Sequence, residues 1–333
     1  MITVAVLGAG SWGTALAIHL ARSGRRVRLW ARDAALVEQM ARTRSNPSYL
    51  TDAALPPEVV VDASLARIVQ DAAFVVIAVP SHGLREVTRS AAAFLGPGAV
   101  LVSAAKGLEQ DSLLRMSEVI GRETSGRWPV VVLSGPSFAS EVARGLPTAI
   151  LAASYDSAAA ARVQEQFRGP GLRLYASDDV PGVEIGGALK NVIAIAAGAV
   201  EGLGLGHNAM AALITRGLAE ISRLACAEGG RRDTLSGLSG LGDLVLTCTG
   251  GLSRNRHVGI ELGRGRALAQ ILGELHMVAE GVRTTGAALA LGARHGIELP
   301  ITAQMAAVLD GRASPREAVG ALMSRPQKAE LDG

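Results

Sequence analysis

The chain has 333 residues, of which 49% are hydrophobic and 19% are charged, and its formal net charge is +3. A chain this long and this apolar can bury a sizeable core in one or two domains, which excludes a disordered protein. The chain is nearly neutral, and its sequence contains no block of like charges. It therefore gives little support to a role in binding nucleic acid or a membrane surface.

The cysteines and the N-terminus predict a cytoplasmic protein. Cys226 and Cys248 are the only cysteines. They are far apart and lack metal-ligand spacing, so we expect free thiols in a reducing compartment and no metal. The first residues enter a strand pattern directly, without the basic region or cleavage site of a signal peptide. We expect no apolar run to reach the roughly 18 residues of a membrane-spanning helix.

The first half of the chain alternates between strand and helix patterns. Residues 2–7, ITVAVL, have the composition of a buried parallel strand. A helical pattern follows, and then come further strand patterns at residues 27–30, 74–80, 99–107 and 129–137. The segments between these patterns are long enough for crossover helices, so the alternation predicts an α/β Rossmann-type doubly wound sheet.

The strand signal disappears beyond about residue 180, where Ala-, Leu- and Arg-rich stretches with helical spacing run nearly to the end. This change predicts two domains. Residues 1–180 would form a Rossmann-type α/β domain, and residues 181–333 an all-α domain.

Gly8, Gly10 and Gly13 form a G-x-G-x-x-G pattern. The pattern alone is weak, because a chain with 40 glycines produces it easily by chance. Its position is more informative, since it begins one residue after the first strand and opens a helix. There Gly10 lets the backbone approach a pyrophosphate, and the helix N-terminus offers N–H groups and its dipole. This placement predicts a dinucleotide site.

The residues after the second strand bear on the choice between NAD and NADP. An NAD site usually has an acidic residue about 20 positions after the glycines. Here Trp30 and Ala31 are followed by Arg32, a cation that suits the 2′-phosphate of NADP, although Arg32 could equally be one more surface arginine. We favour NADP and keep NAD as the alternative, because Asp33 could serve as the acid if the strand ended late.

Lysine is scarce in this chain. Of the 33 basic residues only Lys106, Lys190 and Lys328 are lysines, and Lys328 lies in a terminal segment expected to be solvated. A chain so biased toward arginine keeps lysine where arginine cannot serve. Proton exchange is such a task, since the guanidinium group stays charged. Lys190 lies within the apolar segment 183–200, where an unpaired charge is costly, so we expect it to be paired or chemically employed.

The rule that ligands bind outside the carboxyl ends of parallel strands selects three loops. These loops contain His82, Lys106 and the pair Gly135 and Ser137. A lone histidine carries little weight, and Gly-Pro-Ser is also an ordinary turn sequence.

A second polar cluster lies among glycines in residues 237–259 and includes Asp243, Thr247, Ser253, Arg254 and Asn255. An arginine beside an asparagine suits a phosphate, because the two offer a bidentate fork and an amide donor. Asp243 and Thr247 would share a helix face, and the aspartate could pair with Lys190 in a cleft between the domains. The alternative is that these residues are caps and turns with solvated arginines, for Ser253 above all. Glu280 could contact a cofactor or be an N-terminal helix charge.

At these residues the sequence resembles the bacterial NAD(P)-dependent glycerol-3-phosphate dehydrogenases. The similar segments run in order from Gly8 to about Pro300, and they read VLGAGSWGTALA, AAKGLE, SGPSFASE, GGALKNVIAIAAG, LITRGLAE, GLGDLVLTCTGGLSRNR and VAEGVRTT. The resemblance implies an oxidoreductase that reversibly reduces dihydroxyacetone phosphate to sn-glycerol 3-phosphate, for phospholipid synthesis.

The resemblance also implies residue roles. Lys190 takes the position of the catalytic lysine and Lys106 that of a second lysine near both substrate and cofactor, while Asp243 would hold Lys190. Substrate-binding positions are matched by Lys106, Gly135, Ser137, Lys190, Asp243, Ser253, Arg254 and Asn255. Cofactor-contacting positions are matched, besides the three loop glycines, by Ser11, Trp12, Arg32, Lys106, Ala139, Arg254, Val278 and Glu280. Asp33 stands where the family often has a second basic residue or a histidine.

Two alternatives remain open from the sequence. A hydroxyacid or ketopantoate-type reductase would keep the fold, but such enzymes bind carboxylates, whereas the Ser-Arg-Asn turn fits a phosphate better. A non-catalytic NADP sensor would need neither lysine. The expected partner is a small phosphate substrate, with no nucleic acid and no stable membrane insertion, and the sequence is compatible with a homodimer.

Overall fold

The computed structural model describes residues 2–275, 278–327 and 329–330, and Lys328 lies outside them. The chain forms two compact units. We call Met1–Lys106 with Met116–Val180 the sheet unit, and Gly107–Arg115 with Pro181–Gly333 the helical unit. The short segment Gly107–Arg115 thus interrupts the sheet unit in sequence and belongs to the helical unit.

Ten strands lie among the described residues, all in the sheet unit. They are β1 (Thr3–Leu7), β2 (Arg26–Trp30), β3 (Ser45–Asn46), β4 (Leu50–Ala54), β5 (Val59–Asp62), β6 (Phe74–Ile77), β7 (Val100–Ser103), β8 (Val130–Ser134), β9 (Thr148–Ala153) and β10 (Leu172–Ser177). Eight of them form one sheet in the order β10-β9-β8-β7-β6-β1-β2-β5, while β3 and β4 pair separately.

Seven α-helices connect these strands. They are α1 (Ser11–Arg22), α2 (Ala34–Thr43), α3 (Leu65–Val69), α4 (Ser81–Ala92), α5 (Met116–Glu123), α6 (Ala139–Arg144) and α7 (Ser157–Phe167). The first strand, TVAVL, is almost wholly buried, as its apolar composition predicts. It lies between β2 and β6, so the strand order reverses at its end. The Rossmann-type sheet expected from the sequence is therefore confirmed, and the glycine loop follows β1 at the switch point.

The far edge of the sheet differs from the expectation of a simple parallel alternation. The last strand located from the sequence lies at residues 129–137, yet β9 and β10 follow before residue 180 and extend the sheet. Moreover β9 pairs with β8 in the antiparallel sense. Strand β9, TAILAA, escapes detection because it is short and rich in alanine, so its apolar run does not distinguish strand from helix. Strand β10, LRLYAS, alternates between buried and exposed residues, a strand signal that the sequence prediction did not use.

The described residues of the helical unit contain no strand. Its helices are α8 (Val180–Gly202), whose first residue still counts with the sheet unit, α9 (Gly206–Ala227), α10 (Arg232–Leu235), a π-helix (Leu238–Gly242), α11 (Asp243–Thr249), α12 (Arg254–Gly263), α13 (Leu268–Glu274), α14 (Glu280–Arg294), α15 (Pro300–Leu309) and α16 (Pro315–Met323). The expected all-α second domain agrees with this architecture. Cys226 and Cys248 are both free thiols, as expected.

Helix α8 is long and strongly apolar. Its length and composition suffice to cross a membrane, contrary to the expectation from the sequence, since an 18-residue window has a mean hydropathy of 1.5. That window is 100% buried inside the protein, which is the ordinary situation of a core helix.

Candidate active site

Each glycine of the loop after β1 has a distinct structural reason. Gly8 has a φ of +120°, a conformation that favours glycine. A Cβ on Gly13 would lie 1.9 Å from the Gly8 carbonyl oxygen, so only glycine lets α1 start this close to the turn. At Gly10 no atom of the described residues beyond its two chain neighbours lies within 4 Å of the position that a Cβ would occupy. That open face is where the backbone can approach a ligand.

The start of α1 supplies the donors for such a ligand. Gly10 is the N-cap, and the Thr14 N–H donates to its carbonyl oxygen at 2.9 Å. Helix geometry directs the first N–H groups out of the helix end, where together with the dipole they favour an anion. The loop and helix start therefore fit the pyrophosphate of a dinucleotide.

Asn46 fixes this loop, and the sequence reasoning missed it. The side chain is fully buried. Its amide donates to the Ala9 carbonyl oxygen and to the Thr14 hydroxyl, both at 2.8 Å, and its carbonyl oxygen accepts the Tyr49 N–H at 3.1 Å. The Ser11 hydroxyl in turn donates to the Tyr49 carbonyl oxygen at 2.6 Å. A signal existed in the Asn-Pro turn of SNPSYL, but nothing local connects it to a loop more than 30 positions earlier.

The end of β2 places Arg32 and Asp33 differently. The strand ends at Trp30, not later, and Arg32 is exposed just beyond it. Asp33 is the N-cap of α2, where one carboxylate oxygen accepts the N–H groups of Ala35 at 2.9 Å and Leu36 at 3.4 Å. The alternative in which Asp33 lies at the end of a longer strand is therefore wrong, since this carboxylate caps a helix.

Three residues predicted to bind substrate meet at the carboxyl ends of β7 and β8. Lys106 lies three residues after β7, and Gly135 directly follows β8, its parallel neighbour. The half-buried Lys106 ammonium and the Ser137 hydroxyl both donate to the Gly135 carbonyl oxygen, each at 2.9 Å. Ala139, two residues after Ser137, begins α6. His82, from the remaining predicted loop, is exposed in the first turn of α4.

In the helical unit Lys190 is 7% exposed and Asp243 is completely buried. The Lys190 ammonium donates to the Asp243 carboxylate, which is the pair expected from the sequence. It also donates at 2.9 Å to the Thr247 hydroxyl, which donates at 2.6 Å to the Asp243 backbone carbonyl oxygen. The apolar helix α8 thus tolerates its lysine because the charge is paired and hydrogen-bonded.

A buried thiol lies next to this ion pair. Cys248 lies on α11 one residue after Thr247 and is completely buried. Burial raises the pKa of the Cys248 thiol to about 12, an effect that the positive charge of Lys190 partly opposes. The thiol therefore stays protonated at neutral pH.

The start of α12 combines capping with a polar network. The Ser253 hydroxyl accepts the Arg256 N–H at 3.2 Å, so Ser253 is the N-cap of α12. A cap was the alternative that the sequence left open for this residue. The Asn255 amide donates to the Asn191 side-chain oxygen at 3.0 Å, and its own oxygen accepts the Gly281 N–H at 2.9 Å. Asn255 thereby joins the starts of α12 and α14 to α8.

Arg254 lies at the first position of α12. Part of its surface is open to solvent, and protein atoms surround the rest. Desolvation by the protein around it lowers the pKa of its guanidinium, and the negative charge of Glu280 raises it. The group remains charged at any neutral pH. Glu280 is the first residue of α14, two positions after Val278, so it also serves as an acidic residue at a helix N-terminus.

A dinucleotide loop at the switch point of a Rossmann-type sheet, together with a buried lysine held by an aspartate, defines a nicotinamide-dependent oxidoreductase. Comparison with known families agrees. The profile described as NAD-dependent glycerol-3-phosphate dehydrogenase N-terminus matches residues 3–160, and the corresponding C-terminus profile matches residues 179–320. The chain belongs to this NAD-dependent glycerol-3-phosphate dehydrogenase family.

Individual relatives are similar over the whole length. A glycerol-3-phosphate dehydrogenase [NAD(P)+] from Koribacter versatilis is 52% identical over 99% of both chains. The crystal structure of a glycerol-3-phosphate dehydrogenase from Coxiella burnetii has a TM-score of 0.93 and 41% identity, and covers 97% of this chain and 99% of its own. A ketopantoate reductase from Ralstonia eutropha shares only the fold, with 17% identity and a TM-score of 0.62 over 96% of this chain and 100% of its own. The ketopantoate alternative is therefore not favoured.

Proposed function

We propose that the chain is a glycerol-3-phosphate dehydrogenase that reduces dihydroxyacetone phosphate to sn-glycerol 3-phosphate, with NADPH preferred and NADH accepted. The observation that carries the proposal is the buried Lys190, held by Asp243 and Thr247 in a member of this family. A purely structural helix of this apolarity gains nothing from a buried ammonium that must be paired.

The reaction needs a proton where the substrate gains charge. When bound, the nicotinamide cofactor supplies a hydride to C2 of the ketone. Lys190 donates a proton to the carbonyl oxygen at that carbon and takes it back in the reverse direction. Asp243 holds the ammonium in place, and Lys106 contributes positive charge that stabilises the developing alkoxide.

The substrate phosphate is the second recognition element. We assign its binding to Arg254, Asn255 and Ser253 at the start of α12, where a guanidinium, an amide and a helix N-terminus offer donors to an anion. The family resemblance also assigns substrate contacts to Gly135 and Ser137. A phosphate held firmly fixes the ketone relative to the acid, and such positioning contributes a large share of the rate.

The sheet unit, corresponding to the predicted domain 1–180, holds the dinucleotide in this proposal. The loop of Gly8, Gly10 and Gly13 with Ser11 and Trp12 receives the pyrophosphate, and Arg32 receives the 2′-phosphate of NADP. The remaining cofactor contacts are assigned by family resemblance to Lys106, Ala139, Arg254, Val278 and Glu280.

The setting follows from the same chemistry. The product is a precursor of phospholipids, and the two free thiols favour the reducing cytoplasm. We propose a cytoplasmic enzyme that does not insert stably into membranes and that forms a homodimer. Light scattering coupled to size-exclusion chromatography tests the subunit number.

The direct test mixes the purified protein with NADPH and dihydroxyacetone phosphate and follows the absorbance of the reduced cofactor. We expect oxidation of NADPH with one glycerol 3-phosphate formed per cofactor consumed. Oxidation with ketopantoate instead would support the related reductase. Binding of NADPH without turnover of either ketone would support the sensor, and both results would defeat the proposed function.

A further inference from the structure

One row of positions along α8 contains Lys190. It repeats every four residues and consists of Gly182, Gly186, Lys190, Ala194, Gly198 and Gly202. Positions four apart lie on one face of a helix, so Lys190 is the single long side chain in a row of small residues. Small residues let neighbouring backbones come close to that face.

The π-helix packs against this row one turn before Lys190, at Gly186. A Cβ built on Gly186 would lie 2.7 Å from the Ser239 carbonyl oxygen and 3.0 Å from the Leu235 side chain. Ser239 precedes Asp243 by four residues, and Gly186 precedes Lys190 by four residues. The backbone contact at one level of α8 is therefore followed, one turn later, by the ion pair.

We propose that Gly186 is a positioning residue for Lys190. Its missing side chain lets the π-helix rest on α8, and this contact sets how closely Asp243 approaches the ammonium. The inference rests on the proposed function, because it concerns the group assigned as the proton donor. It adds a determinant that touches neither substrate nor cofactor.

The π-helix can transmit a displacement because it has little room to absorb one. A Cβ on Gly240 would lie 2.0 Å from the Leu235 carbonyl oxygen, so the turn is folded tightly against its own start. Ser239 is completely buried. Packed interiors shift as units rather than deforming locally, so a side chain at position 186 displaces the π-helix and α11 together. Single π-turns inside helices often occur at functional sites.

The test is Gly186→Ala. We expect kcat for dihydroxyacetone phosphate to fall by about 10- to 100-fold, since a displacement near 1 Å of a catalytic group can cost about 100-fold. KM for the same substrate should change much less than kcat, because Arg254 lies on α12, outside the displaced π-helix and α11. An unchanged kcat in a folded protein would overturn the proposal.

Two control variants separate positioning from general damage. A Cβ on Gly263 would lie 2.8 Å from the Ala199 carbonyl oxygen, a similar contact on the same helix but more than two turns away from Lys190. Gly320 lies on α16, where no atom of the described residues outside its chain neighbours and its own helix backbone lies within 4 Å of such a Cβ. Gly263→Ala should lower the unfolding midpoint about as much as Gly186→Ala but lower kcat far less. Gly320→Ala should keep kcat and leave the midpoint unchanged or slightly raised, because alanine favours a helix over glycine. Equal losses of kcat in Gly186→Ala and Gly263→Ala would contradict positioning.

A longer acid provides a rescue that a merely structural role would not allow. In the double variant Gly186→Ala with Asp243→Glu, the extra methylene spans the wider gap between α11 and α8. The double variant should turn over several-fold faster than Gly186→Ala alone, although Asp243→Glu slows the otherwise unchanged enzyme. A double variant slower than both single variants would overturn the proposal.

The inference is also testable without turnover, so its failure is distinguishable from failure of the proposed function. If the wild-type protein reduces no ketone, the proposed function fails. The contact is then judged by unfolding, where Gly186→Ala should lower the midpoint less in an Asp243→Asn background than in the wild type. Strictly additive midpoints would refute the coupling. If Gly186→Ala does not fold, a second variant replaces it, in which deletion of the exposed Leu241 shortens the π-helix. Normal turnover of that deletion variant would refute the positioning of Lys190 by the π-helix.

Discussion

The sheet unit and the helical unit form their candidate sites in different ways. The sheet unit presents backbone groups at the ends of strands: the N–H groups at the start of α1 and the Gly135 carbonyl oxygen. The helical unit presents buried charged side chains that pair across helices, as Lys190 and Asp243 do. A site formed by backbone groups depends on topology and close packing, whereas a side-chain pair depends on two residues. Single substitutions should therefore have larger effects in the helical unit.

The largest effect is expected for Lys190→Arg. The substitution keeps the positive charge beside Asp243 but removes an amine that can exchange its proton, because guanidinium stays charged. We expect kcat to fall by about 1,000-fold, within the usual range for loss of a general acid. The measurement is steady-state turnover of dihydroxyacetone phosphate, with NADPH affinity by fluorescence titration as the control for an intact sheet unit. Turnover close to that of the wild type would remove Lys190 from proton transfer.

Glu220 is a buried carboxyl group of the helical unit, and among the described residues its hydrogen bonds come from backbone N–H groups. It is 1% exposed on α9, and its carboxylate accepts the N–H groups of Ile301 at 3.2 Å and Thr302 at 3.3 Å at the start of α15. Burial raises the pKa of Glu220 to about 7, against the opposing effect of these hydrogen bonds and of Arg223. The group sits at a helix end, where an uncharged acid can still accept both bonds.

The pH dependence follows from the sign of that change. Below about pH 4.5 the acid is neutral in both states and its stabilising effect is complete; the effect is lost as the pH rises through about 7. Between these limits the total is on the order of 3 kcal/mol of unfolding free energy. Glu220→Gln stays neutral, so its stability should not fall in this way between pH 5 and pH 8. Urea unfolding at both pH values measures this, with the exposed Glu317→Gln as control; equal falls in wild type and Glu220→Gln would contradict the assignment.

Arg254→Ala should separate phosphate binding from catalysis. We expect kcat/KM for dihydroxyacetone phosphate to fall by about 30-fold through KM, because a charge-assisted hydrogen bond to the phosphate is lost. Dihydroxyacetone, which lacks the phosphate, should be reduced as slowly by the variant as by the wild type. Arg264→Ala removes the same charge at the other end of α12 and should leave kcat/KM unchanged for both substrates. Equal losses with both substrates would exclude Arg254 from phosphate binding.

The sequence predicts features whose signals are local or follow from topology. The glycine loop after β1 and the convergence of Lys106 with Gly135 come from strand order, and the pair of Lys190 and Asp243 comes from the cost of a buried charge. Asn46 could not be predicted in this way, since its partners lie more than 30 positions away. The π-helix before Asp243 packs closely against Gly186, a tertiary contact that no local propensity encodes.

The smallest effect is expected at Arg32, in the sheet unit, where the side chain is exposed. Asp33 is occupied in capping α2, so Arg32 is the charged group that follows β2 and can meet a 2′-phosphate. Solvent weakens such a contact, so Arg32→Ala should raise KM for NADPH by about tenfold and leave KM for NADH nearly unchanged. Arg26→Ala is the matched control, because it removes an exposed arginine from the opposite end of the same strand. If Arg32→Ala changes both cofactors equally, the preference for NADP resides in another residue, and the charged side chain at this strand end contributes only to the general field of the site.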